Sequence, residues 1–273
     1  MGLRASVLTV VCLLFSVCSS DAAPRNHCLD CHPAHYVAQG SCSYCHLGNQ
    51  QTNRKELAHG NLIKGQQTSF TNPRSASLVA GKKLADQTAC RRCHTLAGTG
   101  NRLASNLDSL LWTTRPELIH KALIEPALYM PDFHFSAQDL DHLITAILAG
   151  GLKAGKAPKE PPQVVHFSEQ SKSQKDTFSV KCGGCHKLLS KREGGLGNGT
   201  AGPNLSGLLT KFYPSSFGGD KPWNKDSLKR WLKNPREVRP QAMMRPIILT
   251  KQEWNNLLVS FSHSPCVSLS RPL

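Results

Sequence analysis

Aromatic and acidic residues are both scarce in this chain. Aromatics occupy 6% of the 273 positions and all hydrophobic residues together 39%. That is thin material for one large core, and it favours two or three small units helped by something other than side-chain burial. Asp and Glu number 18 against 33 Lys and Arg, a formal charge of +15 with a pI near 9.5. Such a balance suits an anionic partner: nucleic acid, a membrane surface or an acidic protein. Methionine is rarer still, with four including the initiator. Long apolar runs are missing except at the N-terminus, where residues 5–18 are interrupted only by Ser6, Thr9 and Ser16. About fourteen residues cannot span a bilayer core. Arg4 precedes the run and the small-residue stretch Ser19-Ser20-Asp21-Ala22-Ala23-Pro24 follows it, so residues 1–22 read as an export signal cleaved after Ala22. A lipid-anchored reading through Cys18 meets Val17 where a small residue is expected. The mature protein is expected outside the cytoplasm, in the periplasm, with an extracellular or lipid-anchored location as the alternative.

Removing that segment leaves nine of the eleven cysteines, and eight of the nine fall into one repeated pattern. The four copies are Cys28-Leu29-Asp30-Cys31-His32, Cys42-Ser43-Tyr44-Cys45-His46, Cys90-Arg91-Arg92-Cys93-His94 and Cys182-Gly183-Gly184-Cys185-His186. C-x-x-C-H is a c-type haem attachment signature. Residues i, i+3 and i+4 share one face of a helical turn, so two thiols reach the haem vinyl groups while the imidazole reaches the iron from the same side. Disulfides in an exported protein do not explain a histidine after every second cysteine. A zinc site built from the first two pairs leaves the same histidines unused, and a thioredoxin-like motif needs a βαβ setting that the sequence lacks. Four covalently bound haem c groups are the expectation, with His32, His46, His94 and His186 as proximal ligands. Cys266 stays without an assigned role.

The two later motifs sit in an internal repeat. Asn106-Leu107-Asp108-Ser109-Leu110-Leu111 follows His94, and Asn204-Leu205-Ser206-Gly207-Leu208-Leu209 follows His186. Each copy continues with an amphipathic stretch ending in proline, residues 118–126 and 228–235. A methionine follows, Met130 or Met244, and six residues later a capping-box start at Ser136 or Thr250. Helices are predicted from both caps, with Leu140, Leu143, Ile144 and Ile147 inward in the first and Trp254, Leu257, Leu258 and Phe261 in the second.

On these motifs, residues 76–150 and 173–265 each resemble a small class I cytochrome c domain. The carrying residues are Gly81-Lys82-Lys83-Leu84, Met130-Pro131, Gly202-Pro203-Asn204-Leu205 and Met244-Arg245-Pro246. The resemblance implies a mostly α fold with Met130 and Met244 as distal iron ligands, Met243 being a neighbouring rival. Two departures stand out. The first domain lacks the Gly-Pro before its Asn-Leu, so its loop beside the haem is expected to differ. The second carries an insertion at 211–225 with Phe212, Tyr213, Phe217 and Trp223, read as a surface loop, with a lid or docking surface as the alternative.

Residues 24–66 hold two motifs starting fourteen residues apart and no methionine. Histidine is therefore the sixth ligand expected on both irons, from His35 and His59 with His27 as substitute, and either fits either iron. The stretch is too short and polar for a conventional core, so it is read as a loop-rich dihaem segment organised around its haems. Tight spacing of this kind resembles multihaem cytochromes. A connector at 65–74 and a proline-rich, charged linker at 151–172 complete the plan. His120, His134, His142, His166 and His263 are read as surface or packing residues.

Bis-histidine ligation leaves haem potential lower than histidine–methionine ligation, so electrons are expected to run from the dihaem segment to the later modules. The propionates of four haems remove roughly four positive charges in the oxidised state, and the holoprotein stays basic. An acidic redox partner is expected rather than nucleic acid, with a membrane-bound quinol oxidoreductase or outer-membrane cytochromes as candidates. A dihaem segment followed by class I-like modules is similar to cytochromes encoded with extracellular-respiration or selenite/tellurite-reduction systems of metal-reducing bacteria. The function expected is electron transfer between redox partners in a respiratory chain, without catalysis. A haem-based terminal reductase of a small oxyanion is the enzyme alternative, and it needs an iron with an open position.

Overall fold

The computed structural model describes residues 25–127, 129–155 and 176–261. The stretch expected to be an export signal, most of the expected linker, His166, His263 and Cys266 lie outside the described residues. Among the described residues the fold is mostly helical, with two small antiparallel hairpins.

The N-terminal segment is a chain of short turns. A 3₁₀ turn, His27–Asp30, is started by Asn26, whose side-chain oxygen accepts the Cys28 N–H at 3.1 Å. Helices α1 (Cys42–His46) and α2 (Lys55–Ala58) follow, then a 3₁₀ helix, Gly65–Thr71. Backbone bonds from His27 N–H to the Gln50 carbonyl and from Asn49 N–H to the Ala58 carbonyl fold the segment back on itself. None of residues 25–62 is buried. The first buried side chains, Ile63 and Phe70, join the core of the next module. The stretch expected as a connector is thus partly core: Phe70 is 2% exposed, and Gln67 Nε2 donates to Asp141 at 2.6 Å. A bulky aromatic beside an apolar helix is worth about 1.5–3 kcal/mol when buried, and that outweighs the polarity of its neighbours.

The middle module is built on two crossing helices, α3 (Ala76–Gln87) and the later α6 (Ala137–Ala154). Ser75 caps α3 by accepting the Leu78 N–H at 3.1 Å. The helices meet at Gly81, where a Cβ would run into the His142 carbonyl, so only glycine permits the approach. Between them lie the 3₁₀ turn Cys90–Arg92, the hairpin β1 (Thr95–Leu96) with β2 (Thr99–Gly100), and helices α4 (Leu110–Thr113) and α5 (Pro116–Ile124). Helix α6 starts at the expected capping box of Ser136 and Asp139 and buries Leu140, Leu143, Ile144 and Ile147 as its spacing predicts. It also runs through Gly150 and Gly151, where the linker was expected to begin. Side chains there would press on Leu96 and Asp108, so these glycines serve close packing within a helix.

The C-terminal module repeats the plan in shorter form. Helix α7 (Thr177–Lys181) leads into the last motif, and the hairpin β3 (Leu188–Ser190) with β4 (Gly194–Leu196) follows it. Helices α8 (Lys225–Lys233), α9 (Pro235–Val238) and α10 (Lys251–Ser260) close the module. Helix α10 begins at the expected Thr250–Glu253 capping box. It meets α7 through the edge-on rings of Phe178 and Phe261, with centroids 6.1 Å apart, and through a Lys181–Glu253 ion pair at 3.1 Å. Of the four inward positions expected here, Leu257 and Phe261 are buried, while Trp254 and Leu258 are half-buried. The insertion at 211–225 is no plain surface loop. Phe217 is buried, Tyr213 and Trp223 pack against the core, and Trp223 meets Trp231 edge-on at 5.6 Å.

Candidate haem sites

In the N-terminal segment the structure brings four histidines together in two pairs. His46, at the end of α1, donates from Nδ1 to the Ile63 carbonyl at 2.9 Å, which turns Nε2 outward. That Nε2 stands 3.5 Å from His35 Nε2, with the rings perpendicular and their centroids 5.7 Å apart. An imidazole–metal bond of about 2 Å on each side asks for roughly 4 Å between two such nitrogens, close to what is found. A cavity of about 700 Å³ opens here, lined by Cys42, Cys45, His46 and His35. His32 lies beside His59, with ring centroids 6.1 Å apart and the planes tilted by 49°. His27 is turned to other work: its Nδ1 meets Asp30 at 2.9 Å, and Arg25 reaches the same carboxyl. These two contacts, His27 first, hold the Asp30 pKa below the usual carboxylate range. Burial, and then the adjacent Cys42 sulfur, push the Cys28 thiol up. The first cysteines of the two motifs are thus neighbours. Among the described residues no three His, Cys, Asp or Glu side chains converge as a bare metal ion requires, so the first two cysteine pairs do not assemble a four-thiolate site.

In the middle module His94 donates from Nδ1 to the Ser105 carbonyl at 2.7 Å, and burial pushes its pKa down. A neutral imidazole with Nε2 available is the form an iron ligand needs. Burial also raises the thiols of Cys90 and Cys93. Met130 packs half-buried against the module core. In the C-terminal module His186 donates to the Pro203 carbonyl at 2.8 Å, the repeat-equivalent of the Ser105 contact. The missing Gly-Pro therefore does not alter the loop where it meets the histidine, because a backbone carbonyl does the work and any residue supplies one. Burial pushes the Cys182 thiol up to about 11. A cavity of about 950 Å³ is lined by Cys182, Cys185, His186 and Met244, with Tyr213, Trp223 and Trp231 among its walls. Trp231 Nε1 donates to the Met244 sulfur at 3.0 Å, while Met243 is 90% exposed. Cations line this cavity (Arg92, Lys181, Arg239, Arg245) and no carboxylate does. An apolar chamber of this size, with paired thiols, an imidazole and a thioether in its lining and a positive rim, fits an anionic macrocycle.

Sequence reading missed the carbonyls of Ile63, Ser105 and Pro203, the Trp231 donor and the aromatic wall from the insertion. Ser105 and Pro203 each immediately precede the repeated Asn-Leu, a position that aligning the two copies marks out.

The helix crossing, motif turn, hairpin and closing helix of residues 76–145 fit a c-type cytochrome domain, the class of module that holds covalent haem c and transfers electrons. Residues 76–145 match the family model described as Cytochrome C oxidase, cbb3-type, subunit III. No curated protein matches the chain, and no solved structure does. Among the described residues no helix is long and apolar enough to cross a membrane.

Proposed function

We propose that the chain is an exported four-haem c-type cytochrome that relays electrons between redox partners of the bacterial periplasm. The observation that carries the reading is the approach of His35 Nε2 to within 3.5 Å of His46 Nε2, because it supplies a sixth ligand where the sequence has no methionine. When bound, haem c supplies a one-electron iron couple. The residues of this chain would hold it at four places: Cys28, Cys31, His32 and His59; Cys42, Cys45, His46 and His35; Cys90, Cys93, His94 and Met130; and Cys182, Cys185, His186 and Met244. Backbone carbonyls fix three of the proximal imidazoles, leaving each Nε2 for iron. Two imidazole pairs set low-potential sites, and the two methionine sites stand higher, so these ligands order the flow from the N-terminal segment to the later modules. The cationic rim of the C-terminal cavity supports docking of an acidic partner.

A pyridine haemochrome assay with intact mass, on protein matured in a haem-attaching host, tests the reading. Four covalent haems are expected, and fewer would refute it. A terminal reductase would instead show a spectral change on addition of an oxyanion such as selenite, since that substrate must reach an iron.

A further inference from the structure

Arg92 belongs to the middle module's haem motif, yet its guanidinium lies in the C-terminal module. Nη1 donates to the Asn204 carbonyl at 3.1 Å, and the guanidinium carbon stands 5.7 Å over the Tyr213 ring. The side chain forms part of the wall of the cavity that contains Cys185, His186 and Met244. The placement is built rather than incidental. Gly207 has φ +77, and a Cβ there would come within 2.6 Å of the Arg92 carbonyl. Asn101 Nδ2 donates both to that carbonyl at 2.8 Å and to Thr210 of the neighbouring module at 2.9 Å. On the other side of the seam, Tyr129 donates to the Gly197 carbonyl at 3.1 Å, and Asn204 Nδ2 donates to the Tyr129 carbonyl at 2.8 Å.

Of the other three cations of the cavity, Arg245 is exposed to solvent, and the remaining two are engaged elsewhere. Lys181 is paired with Glu253 at 3.1 Å. Arg239 lies over Trp231 and donates to the Ser216 carbonyl at 2.8 Å. Arg92 meets a carbonyl and a phenol ring, and no carboxylate lines the cavity. A full positive charge in poorly solvated surroundings acts strongly on a nearby centre whose charge changes by one.

We infer that the middle module supplies Arg92 to the C-terminal haem site, where its charge favours the reduced state. The inference rests on reading His186 and Met244 as iron ligands. It makes the affinity of the last site for its electron depend on the neighbouring module being docked.

The test uses full-length holoprotein carrying Met130→His, which moves the middle site to bis-histidine ligation and lower potential, so that one methionine-ligated site titrates alone. Adding Arg92→Gln should lower its reduction constant about tenfold, a midpoint shift of about 59 mV for one electron. Arg92→Leu, a second neutral variant, should do the same, and Arg92→Lys should keep the midpoint within twofold of the parent. Arg91→Gln should leave it in place, because Arg91 pairs with Asp86 inside the middle module. An unshifted midpoint in the neutral variants, or an equal shift in Arg91→Gln, overturns the inference. Absence of a methionine–iron absorbance band from the Met130→His parent overturns the ligand reading and the inference with it.

Discussion

Replacing Asp108 by alanine should unfold the middle module at markedly lower denaturant. The carboxyl is 1% exposed and accepts the N–H of Ala97 at 2.6 Å and of Gly98 at 2.8 Å. These two residues form the tip of the β1–β2 hairpin, and both have positive φ, +54 and +77. That is the geometry of a tight hairpin turn, and for Ala97 it costs roughly 1–2 kcal/mol. The Asp108 carboxyl offsets this cost. Ala97 is half-buried and Gly98 exposed, so water recovers much of the second bond but little of the first. A bond to a charged acceptor contributes about 1.5–3 kcal/mol and a solvent-shared one about 0.5–1.5, so Asp108→Ala should lose about 2–4 kcal/mol. Domains are stable by only about 5–15 kcal/mol. The repeat provides a graded control. Ser206 occupies the equivalent position and accepts the Leu189 N–H at 2.8 Å through its single hydroxyl, so Asp108→Ser should regain about half the loss. Urea unfolding of oxidised holoprotein carrying Met244→Ala, followed at the methionine–iron band, reports on the middle module alone. An Asp108→Ala midpoint equal to the parent's would refute the reasoning, as would an Asp108→Ser variant no more stable than the alanine one.

Two further outcomes are expected. His35→Ala and His59→Ala should each convert one low-spin haem to high-spin in the electron paramagnetic resonance spectrum, and His27→Ala should convert none; conversion of two haems by one variant would contradict the pairing of His35 with His46 and of His59 with His32. Glu253 has its pKa lowered, first by the Thr250 backbone N–H at 2.8 Å and then by Lys181, so its contribution is complete above the ordinary glutamate value of about 4.3 and is lost as pH falls through the lowered folded value. Glu253→Gln should therefore be less stable than the parent at pH 7, and thermal melts should converge in strongly acidic buffer; a gap that persists there would show that the carboxylate charge is not what matters.

The capping boxes at Ser136 and Thr250 were legible because a cap and its helix lie within a few consecutive residues, where side-chain chemistry dictates the backbone. The cysteine–histidine motifs were legible for the same reason. The pairing of His59 with His32, and of His35 with His46, was not, since it depends on the route of residues 47–58 and on backbone bonds such as Asn49 to Ala58. Phe70 looked like part of a connector because its neighbours are polar, and only the surface of α6 explains its burial. Gly150 and Gly151 looked like punctuation, yet their meaning comes from Leu96 and Asp108, side chains distant in sequence. The aromatics of 211–225 were visible as a cluster, but nothing local says that Tyr213 and Trp223 line a cavity.

Ile63 and Phe70 carry a consequence for how such chains arise and are cut. They stand before the first helix of the middle module, each 2% exposed within its core alongside Leu143 and Ile144. A boundary drawn at Ala76, where repeat and family resemblance both begin, would leave that core with two missing stones in its wall. A piece that can be duplicated or transplanted with this core complete therefore has to begin before Ile63.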